Sequence, residues 1–356
     1  MNYFFAQALT DICQHSMVSP DRPLRCIIIL NPAAGGFNIR QRWENRVQTL
    51  KEYRQKAFKT NKPRQIYKNI IIDMTEGKGS AGEITKKFIE RAEKDPLPFY
   101  LIISAGGDGT HGEVMLEMYN APAHVRRTMA VLKLPMGTGN DGADYANLAQ
   151  ALDLLLKPTH IEYAPAVQLT TAPDGPSKWK GPFLAFNILS VGLDAYVTHM
   201  TNQMKREKPG DSYRFWVDMA ALSYDRKYKV DYINLRALDN NNKELLTLRE
   251  KLLLLAMGVS GNRTYGSQQH ILPDARNVCA IKQMSLLKKL LIKGQVANGK
   301  HGKSPNVNLF NASRIEFSGS HPILAQMDGE TILLQPEDFP AVMELTAPVI
   351  PLLKLD

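Results

Sequence analysis

Cysteine is scarce in this chain, with three residues among 356. Cys13, Cys26 and Cys279 are odd in number, and none lies in a CxxC pair or at the Cys/His spacing of zinc ligands. Neither a disulfide framework nor a structural zinc site is therefore expected. This cysteine usage fits a reducing compartment, and we expect the protein in the cytoplasm.

Long apolar runs are missing as well. The N-terminus has no basic lead and meets Asp11 early, so we expect no secretory signal peptide. Elsewhere the apolar runs, such as residues 252–257, are far shorter than the roughly 20 residues that cross a bilayer. We therefore predict no transmembrane segment, and any association with a membrane is expected to be peripheral.

Acidic residues are absent from a long stretch near the C-terminus, residues 275–315. The basic residues of this stretch are Arg276, Lys282, Lys288, Lys289, Lys293, Lys300, Lys303 and Arg314. The whole chain carries a formal net charge of +9. A basic surface of this kind favours an anionic partner, with nucleic acid and acidic lipid as the usual candidates.

Residues 284–293 combine leucines and lysines at helical spacing. Such a pattern is typical of a helix that lies in a membrane interface. An ordinary surface helix whose apolar face packs into the core has the same pattern. No aromatic residue lies between these lysines to stack on bases, so nucleic acid is not expected as a partner. We predict an anionic membrane surface as the partner, and a homodimer is left open.

Strand and helix patterns alternate through the first part of the chain. Apolar runs predict strands at residues 24–30, 66–73, 99–103 and 129–134. Amphipathic stretches predict helices at residues 39–58, 81–94, 112–120 and 145–156. This alternation predicts an α/β fold with a doubly wound, mostly parallel sheet that has helices on both faces. Ligands of such sheets bind at the carboxyl ends of the strands.

Beyond about residue 161 the pattern changes to short strands separated by turns. The predicted strands are residues 183–189, 229–237, 251–259 and 314–318, with a helix at 213–223. We therefore predict a second, antiparallel β-rich domain. The predicted organisation is an N-terminal extension at 1–22, a nucleotide-binding α/β domain at 23–160 completed by 335–356, and a substrate domain at 161–334.

Three glycine-bearing turns each follow an apolar strand of the first domain: residues 31–36, 106–110 and 135–141. Turns that end parallel strands converge on one edge of a sheet. Their glycines let the backbone approach a polyphosphate, and a carboxylate among them can reach an accompanying Mg²⁺. Glycine at a single strand-to-helix junction also occurs merely because it permits a tight turn. Neither the GxxxxGK[ST] nor the GxGxxG phosphate motif is present.

This set of motifs resembles the diacylglycerol kinase catalytic-domain family of lipid kinases, whose relatives include sphingosine kinases and, more distantly, NAD kinases. The resemblance extends from about residue 24 to the C-terminus. Its marks are an NPxxG-like turn at 31–35, GGDGT at 106–110, PxGTxND at 135–141, an FNxxxxGxDA-like segment at 186–195 and a DGE at 328–330. A further similarity is Gly266 followed by Ile-Leu-Pro-Asp-Ala at residues 271–275, which is similar to the family's G…iaPdA segment.

The resemblance implies ATP and Mg²⁺ as cofactors and a donor site in the first domain. In this site Asp108 would bind the phosphates through Mg²⁺, and Thr110 would donate to a phosphate. The predicted nucleotide-binding residues are Asn31, Gly35, Gly36, Gly106, Gly107, Asp108, Gly109, Thr110, Glu113, Gly137, Thr138, Asn140 and Asp141. The predicted metal ligands are Asp108, Asp141 and Glu162. Asn140 as a helix cap and Asp141 as a partner of the helix dipole are the structural alternatives.

The resemblance also implies a membrane lipid as the acceptor, with diacylglycerol as the first candidate. A lipid hydroxyl is a poor nucleophile near neutral pH, so a carboxylate must accept its proton as the phosphoryl group moves. We predict Asp328 as this general base and Glu330 as its assistant. An Asp-Gly pair is also a common hairpin turn, which is the structural alternative for the same residues.

One departure from the family pattern concerns residues 273–279. Family members frequently carry an acidic DDG loop after the Pro-Asp-Ala element, whereas here Arg276 follows. A structural Mg²⁺ in this loop is therefore doubtful. Two other functions stay open: an NAD kinase with a soluble acceptor, and a lipid- or nucleotide-binding regulator without catalysis.

Overall fold

A computed structural model describes residues 2–63, 69–137, 140–142, 145, 147–177, 181, 183–207, 223–266 and 269–356. The chain divides into two compact units. Unit 1 comprises Met1–Ala164 and Pro348–Asp356, and unit 2 comprises Pro165–Ala347. Residues 1–22 are thus part of unit 1. The predicted helix at 213–223 lies, except for its last residue, outside the described residues.

The helices with defined bounds are α1 (Asn2–Gln14), α2 (Gly35–Asn38), α3 (Arg40–Thr60), α4 (Ser80–Lys94), α5 (Asp108–Asn120), α6 (Ala123–Arg126), α7 (Leu148–Leu156), α8 (Leu193–Glu207) and α9 (Leu286–Ala297). The strands up to residue 192 are β1 (Leu24–Leu30), β2 (Ile70–Met74), β3 (Phe99–Gly106), β4 (Met129–Pro135), β5 (Thr159–Ala164), β6 (Val167–Thr170), β7 (Phe183–Ala185) and β8 (Ile188–Gly192).

The remaining strands are β9 (Tyr232–Leu238), β10 (Glu244–Gly258), β11 (Arg263–Tyr265), β12 (Gln269–Leu272), β13 (Val278–Lys282), β14 (Val307–Phe310), β15 (Arg314–Ser318), β16 (Ile323–Met327), β17 (Glu330–Leu334), β18 (Ala341–Leu345) and β19 (Ile350–Leu355). Within the described part of the chain, no helix combines the length and the apolarity that crossing a membrane requires.

Unit 1 is built on one sheet in the order β2-β1-β3-β4-β19-β5. All neighbouring pairs are parallel except β19 with β5. On one face, Cys26, Ile28 and Leu30 of β1 share a buried cluster with residues of α1, α3 and α7. On the other face, Phe88 of α4 packs edge-on against Tyr100 of β3, with 5.3 Å between ring centroids. Both faces are covered, which explains why β3 and β4 are buried throughout and read as continuous apolar runs. The predicted fold class is confirmed for this unit.

Unit 2 is a large antiparallel sheet in the order β17-β16-β8-β10-β9-β15-β18-β6-β7, with β13 and β14 branching from β10. The long strand β10 makes this possible, because its first half pairs with β9 and its second half pairs with β8 and β13. The β-rich prediction is confirmed. The predicted boundary at 335 is corrected, because β18 pairs with β15 and β6 and so keeps residues 335–347 in unit 2.

Candidate active site

Three loops meet at the carboxyl edge of the unit 1 sheet. We call them loop A (residues 31–36, after β1), loop B (residues 106–110, after β3) and loop C (residues 135–141, after β4). The Asn31 N–H donates to the Ala105 carbonyl at 3.0 Å, and the Met136 N–H donates to the Gly106 carbonyl at 3.0 Å. The Gly36 N–H donates to the Met136 carbonyl at 2.7 Å. The convergence that the sequence predicts is therefore observed, with loop C bonded to both of the others.

The glycines of these loops allow a close approach of backbones. A Cβ on Gly137 would lie 2.6 Å from the Gly107 Cα, and a Cβ on Gly36 would lie 2.6 Å from the Met136 carbonyl oxygen. A Cβ on Gly106 would lie 2.5 Å from the Thr110 side chain. A larger residue at position 36 or 137 would thus force two loops apart, and one at position 106 would disturb loop B itself. Gly109 differs, because a Cβ there would meet nothing within 4 Å. The exposed backbone at Gly109 leaves room for a ligand.

Helix α5 begins at Asp108 rather than at 112 as predicted, so Asp108, Gly109 and Thr110 form its first turn. Its N-cap residue, Gly107, has no side chain to bond the first N–H groups of the helix. Such a helix start favours an anion, through its N–H groups and through the helix dipole. The Thr110 hydroxyl accepts a hydrogen bond from Asn31 Nδ2 at 2.8 Å, which ties loop A to loop B.

Asp108 is bonded to the residue that directly follows loop C, since its Oδ1 accepts the Gly142 N–H at 2.8 Å. Asn140 folds back on its own loop: its Oδ1 accepts the Gly137 N–H at 2.6 Å, and its Nδ2 donates to the Gly137 carbonyl at 3.1 Å. Asn140 has a φ of 57° and is not a helix cap. The cap of α7 is Asn147, whose Oδ1 accepts the Gln150 N–H.

Three other residues that the sequence predicts at this site are Gly35, Asp141 and Thr138. Gly35 opens the short helix α2, directly before Gly36. Asp141 is half-buried. It directly precedes Gly142, whose N–H donates to Asp108. Thr138 lies outside the described residues, and its predicted contact stays a prediction.

The chemistry of the acids fits a magnesium ion that arrives with a nucleotide. Among the described residues, no group of three or more His, Cys, Asp or Glu side chains has the arrangement of a metal site. Mg²⁺ in nucleotide enzymes is commonly held by one or two carboxylates together with the phosphates and water, not by a full protein cage. Asp108 and Asp141 are carboxylates of the kind that such a minimal set needs, and their role as metal ligands stays a prediction.

Glu162 does not belong to this site. In the register of the sheet it lies opposite Leu352, which in turn lies opposite Val131 of β4. Val131 precedes Pro135 at the carboxyl edge by four positions, or about 13 Å at ~3.3 Å per residue. The prediction of Glu162 as a metal ligand beside Asp108 is therefore wrong, because β5 carries it at the middle of the sheet.

Glu113 has a structural role in place of the predicted nucleotide contact. Its Oε1 accepts the Gly79 N–H at 2.7 Å, and its Oε2 accepts the N–H groups of Ala81 and Gly82 at 3.0 and 3.3 Å. These donors stand at the start of α4, whose N-cap Gly79 has no side chain of its own. Glu113 thus caps α4 from α5, and both of its oxygens are engaged there.

Two basic residues beside the loops were missed in the sequence. Lys133 is 4% exposed within the apolar strand β4, and its Nζ donates to the Gly142 carbonyl at 2.6 Å. Arg46 of α3 donates to the Pro135 carbonyl at 2.8 Å, and burial lowers its pKa from the usual value. Arg46 thus places positive charge against the first residue of loop C, and Lys133 places it against the residue that directly follows the loop. A lysine inside an otherwise apolar strand was the available signal for Lys133.

In unit 2, Asp328 and Gly329 form the two-residue turn between β16 and β17. Their φ values of 46° and 104° are those of a hairpin turn, as the structural alternative predicts. The Asp328 carboxylate also accepts three backbone N–H groups in the segment before and at the start of β8. They belong to Phe186, to Asn187 at 3.1 Å and to Ile188 at 3.0 Å. Asp328 therefore fixes the turn to the FN segment.

The next residue of the turn is held from two sides. The Gly329 carbonyl accepts from Asn202 Nδ2 of α8 at 2.7 Å, and the Gly329 N–H donates to Gln326 Oε1 at 3.1 Å. Gln326 in turn donates to Ser190 Oγ at 2.8 Å, and Ser190 donates to Asp194 Oδ2 at 2.6 Å. This network explains Asp194 as a supporting residue. Glu330, which follows the fixed turn, is exposed.

The loop at 273–279 holds an ion pair where the family pattern has further acids. Arg276 Nε donates to Asp274 Oδ1 at 2.9 Å, and Arg276 Nη2 donates to Asp274 Oδ2. These hydrogen bonds lower the pKa of Asp274 to about 2. The guanidinium thus engages both carboxylate oxygens, which agrees with the doubt about a metal ion in this loop.

Two family models match the chain, one in each unit. The model described as the diacylglycerol kinase catalytic domain matches residues 25–162. The model described as the YegS C-terminal NAD kinase beta sandwich-like domain matches residues 187–350. Loops A, B and C lie in the first match, and the Asp328 turn lies in the second.

Curated relatives of both domains are similar along most of their length. A "Probable lipid kinase YegS-like" of Enterobacter sp. (strain 638) is 24% identical over 266 residues, which are 74% of this chain and 80% of the relative. The protein of the same name from Yersinia pestis (strain Pestoides F) is 25% identical over 252 residues, covering 69% and 77%.

Solved structures share the fold. A structure described as a diacylglycerol kinase from Bacillus anthracis str. Sterne has a TM-score of 0.54 at 14% identity, covering 92% of this chain and 96% of that one. Another structure from the same bacterium has a TM-score of 0.58 at 16% identity, covering 92% and 94%. The likeness extends over both units.

Proposed function

We propose that this chain, which belongs to the diacylglycerol kinase catalytic-domain family of lipid kinases, transfers the γ-phosphoryl group of ATP to a hydroxyl of a membrane lipid. Diacylglycerol is the first candidate for the acceptor. The observation that carries the proposal is the convergence of loops A, B and C around the start of α5. A phosphate chain needs such a set of close backbones, N–H donors and a nearby acid.

On the donor side, three sets of groups have separate tasks. The N–H groups at the start of α5 favour the binding of a negatively charged group, and Thr110 offers a hydroxyl in the same helical turn. Lys133 and Arg46 add positive charge beneath loop C. Asp108 and Asp141 would hold Mg²⁺, which would neutralise the phosphates and orient them for transfer. The fixed positions of these groups lower the cost of orienting the nucleotide.

On the acceptor side, the hydrogen bonds lead us to revise the roles of the two acids. The Asp328 carboxylate accepts hydrogen bonds from three backbone N–H groups, which suits a residue that positions the turn. Glu330 is exposed two residues further on, at the start of β17. We therefore assign to Glu330 the acceptance of the hydroxyl proton and to Asp328 the holding of the turn. A general base of this kind acts within hydrogen-bond reach of the hydroxyl that it deprotonates.

The proposal is tested by supplying the full chain with γ-labelled ATP, Mg²⁺ and mixed vesicles that contain diacylglycerol. We expect label in the organic phase, and we expect Asp108→Asn to reduce the rate by at least about 100-fold. Asp21→Asn, at an exposed acid of the same unit, is the matched control and should leave the rate unchanged. NAD replaces the vesicles in a parallel reaction.

Each result has a distinct meaning. Label in NAD and none in lipid would favour an NAD kinase. Binding of ATP without any release of ADP across a broad lipid panel would favour a regulator. Either outcome would contradict a lipid kinase.

A further inference from the structure

Helix α9 presents leucines to solvent. Leu287 and Leu291 are 76% and 68% exposed, and Leu286 and Leu290 are each 44% exposed. Positions 287, 290 and 291 follow the i, i+3, i+4 spacing, so their side chains share one outward face. Scattered exposed leucines are ordinary, but four within six residues form a continuous apolar patch.

The inward face of α9 fixes this orientation. Lys289 is 4% exposed, and its Nζ lies 2.5 Å from Asp225 Oδ2. Ile292 is buried and Val296 is partly buried in the cluster beneath the helix. A core-facing leucine stripe, which is the alternative that the sequence left open, is therefore wrong. Lysine points inward to an ion pair, and the leucines point outward.

The charges of the stretch that contains α9, residues 275–315, are of one sign. Lys288, Lys300 and Lys303 are exposed in the acid-free stretch 275–315. Arg226 and Lys227 are exposed next to Asp225 in the adjoining helical segment. An apolar helix face that has an exposed lysine on the same helix and further exposed cations in the same acid-free stretch matches the headgroup region of an anionic bilayer, where leucines enter the acyl boundary and cations meet lipid phosphates.

A second copy of the chain fits this face less well. A symmetric dimer brings the same patch of both copies together, so Lys288 and the other cations of this acid-free stretch would repel their counterparts in the second copy. Nucleic acid fits less well too, because the exposed apolar side chains here are leucines and not rings that stack on bases.

We propose that the outward face of α9 is a membrane-docking surface that inserts its leucines into anionic bilayers. The proposal rests on the proposed lipid kinase function for its purpose, since a lipid acceptor is reached only at a membrane. Its test does not depend on that function, because binding to vesicles is measured without turnover.

The experiment uses cosedimentation of the full chain with vesicles of phosphatidylcholine alone or mixed with phosphatidylserine. We expect binding to the mixed vesicles that weakens as salt rises. The double variant Leu287→Ser, Leu291→Ser should bind about tenfold more weakly or worse. Leu245→Ser, at a 50% exposed leucine of β10 in the same unit, is the matched control and should bind normally.

Exposed lysines give a second, independent arm. Replacing Lys288, Lys300 and Lys303 by Gln should weaken binding about fivefold per charge removed and reduce its salt dependence. Lys289 is left intact, because its side chain is buried and its replacement would break the ion pair with Asp225. All of these substitutions lie at exposed positions, so the thermal midpoint should stay unchanged.

Several outcomes would overturn the proposal. One is that the wild-type protein does not sediment with anionic vesicles. Another is that the leucine variant binds as the wild type does. A leucine variant that is monomeric where the wild type is dimeric in lipid-free sedimentation velocity would point to a second copy instead. If only the kinase function fails, the protein still binds vesicles but labels no lipid. If only the docking fails, the protein still phosphorylates a water-soluble short-chain diacylglycerol.

Discussion

Asp328→Asn and Glu330→Gln form a pair of substitutions that separates holding the acceptor turn from accepting the proton. The Asp328 carboxylate accepts N–H groups from Phe186, Asn187 and Ile188. An asparagine keeps one acceptor oxygen and turns its NH₂ group toward donors. Glu330 is exposed, and a glutamine there keeps the shape of the side chain while the charge and the basicity are lost.

We expect Asp328→Asn to lower the free energy of unfolding and Glu330→Gln to lower the turnover. A hydrogen bond to a charged group contributes about 1.5–3 kcal/mol. Asp328→Asn loses at least one of the three backbone hydrogen bonds and turns its NH₂ group toward a backbone N–H donor. We therefore expect a loss of about 2–4 kcal/mol in the free energy of unfolding of unit 2. For Glu330→Gln we expect a change within about 0.5 kcal/mol, as at exposed positions generally. Its turnover should fall by about 100-fold to 10,000-fold, the usual contribution of a general base.

The assay combines urea unfolding followed by circular dichroism with turnover of labelled ATP on lipid vesicles. In Glu330→Gln the affinity for ATP should be unchanged, so that the loss appears in kcat alone. A stable Asp328→Asn protein that has lost turnover, together with a fully active Glu330→Gln protein, would refute the revised roles. It would restore Asp328 as the base that the sequence predicts.

Three further predictions concern single contacts. In Gly137→Ala the new Cβ would lie 2.6 Å from the Gly107 Cα, so loops B and C should separate, and calorimetry should show about tenfold weaker ATP binding or worse; unchanged affinity would argue against loop closure. Glu113→Ala should cost about 0.5–2 kcal/mol of stability by uncapping α4 and leave ATP affinity intact, whereas weaker ATP binding at full stability would return it to the site. The pKa of Asp274 is lowered to about 2 from 3.8, so the stabilisation by its pair with Arg276 is present above about pH 4 and lost as pH falls toward about 2. The difference in thermal midpoint between the wild type and Arg276→Gln should vanish over that range, and a difference that persists at the acid end would contradict the pairing.

The fold of unit 1 was largely predictable from the sequence, because buried parallel strands leave continuous apolar runs. The predicted strand at residues 24–30 matches β1 at both ends. The start of α5 was missed by four residues, because glycines have low helix propensity and this helix starts where loop packing places it. In unit 2, the first half of β10 escaped prediction, since its exposed and half-buried residues alternate without a strong apolar run.

The site was predictable at the level of loops and less so at the level of side chains. Glycine-bearing turns at strand ends show where a phosphate site forms, and those three loops do meet. Sequence spacing does not show which backbone N–H groups a carboxylate meets in space. This is why Glu113 was taken for a ligand contact and why Glu162 was placed with Asp108. The buried Lys133 was overlooked because a strand pattern gives no indication of what its ammonium touches.

The most direct test of the central claim is a single reaction of the full chain with γ-labelled ATP and a mixed extract of membrane lipids, with the labelled product identified by mass. The account predicts one principal labelled lipid whose mass exceeds that of an alcohol-bearing lipid of the extract by one phosphoryl group. Label that remains wholly in the aqueous phase, with an active lipid kinase as a positive control in the same extract, would contradict it.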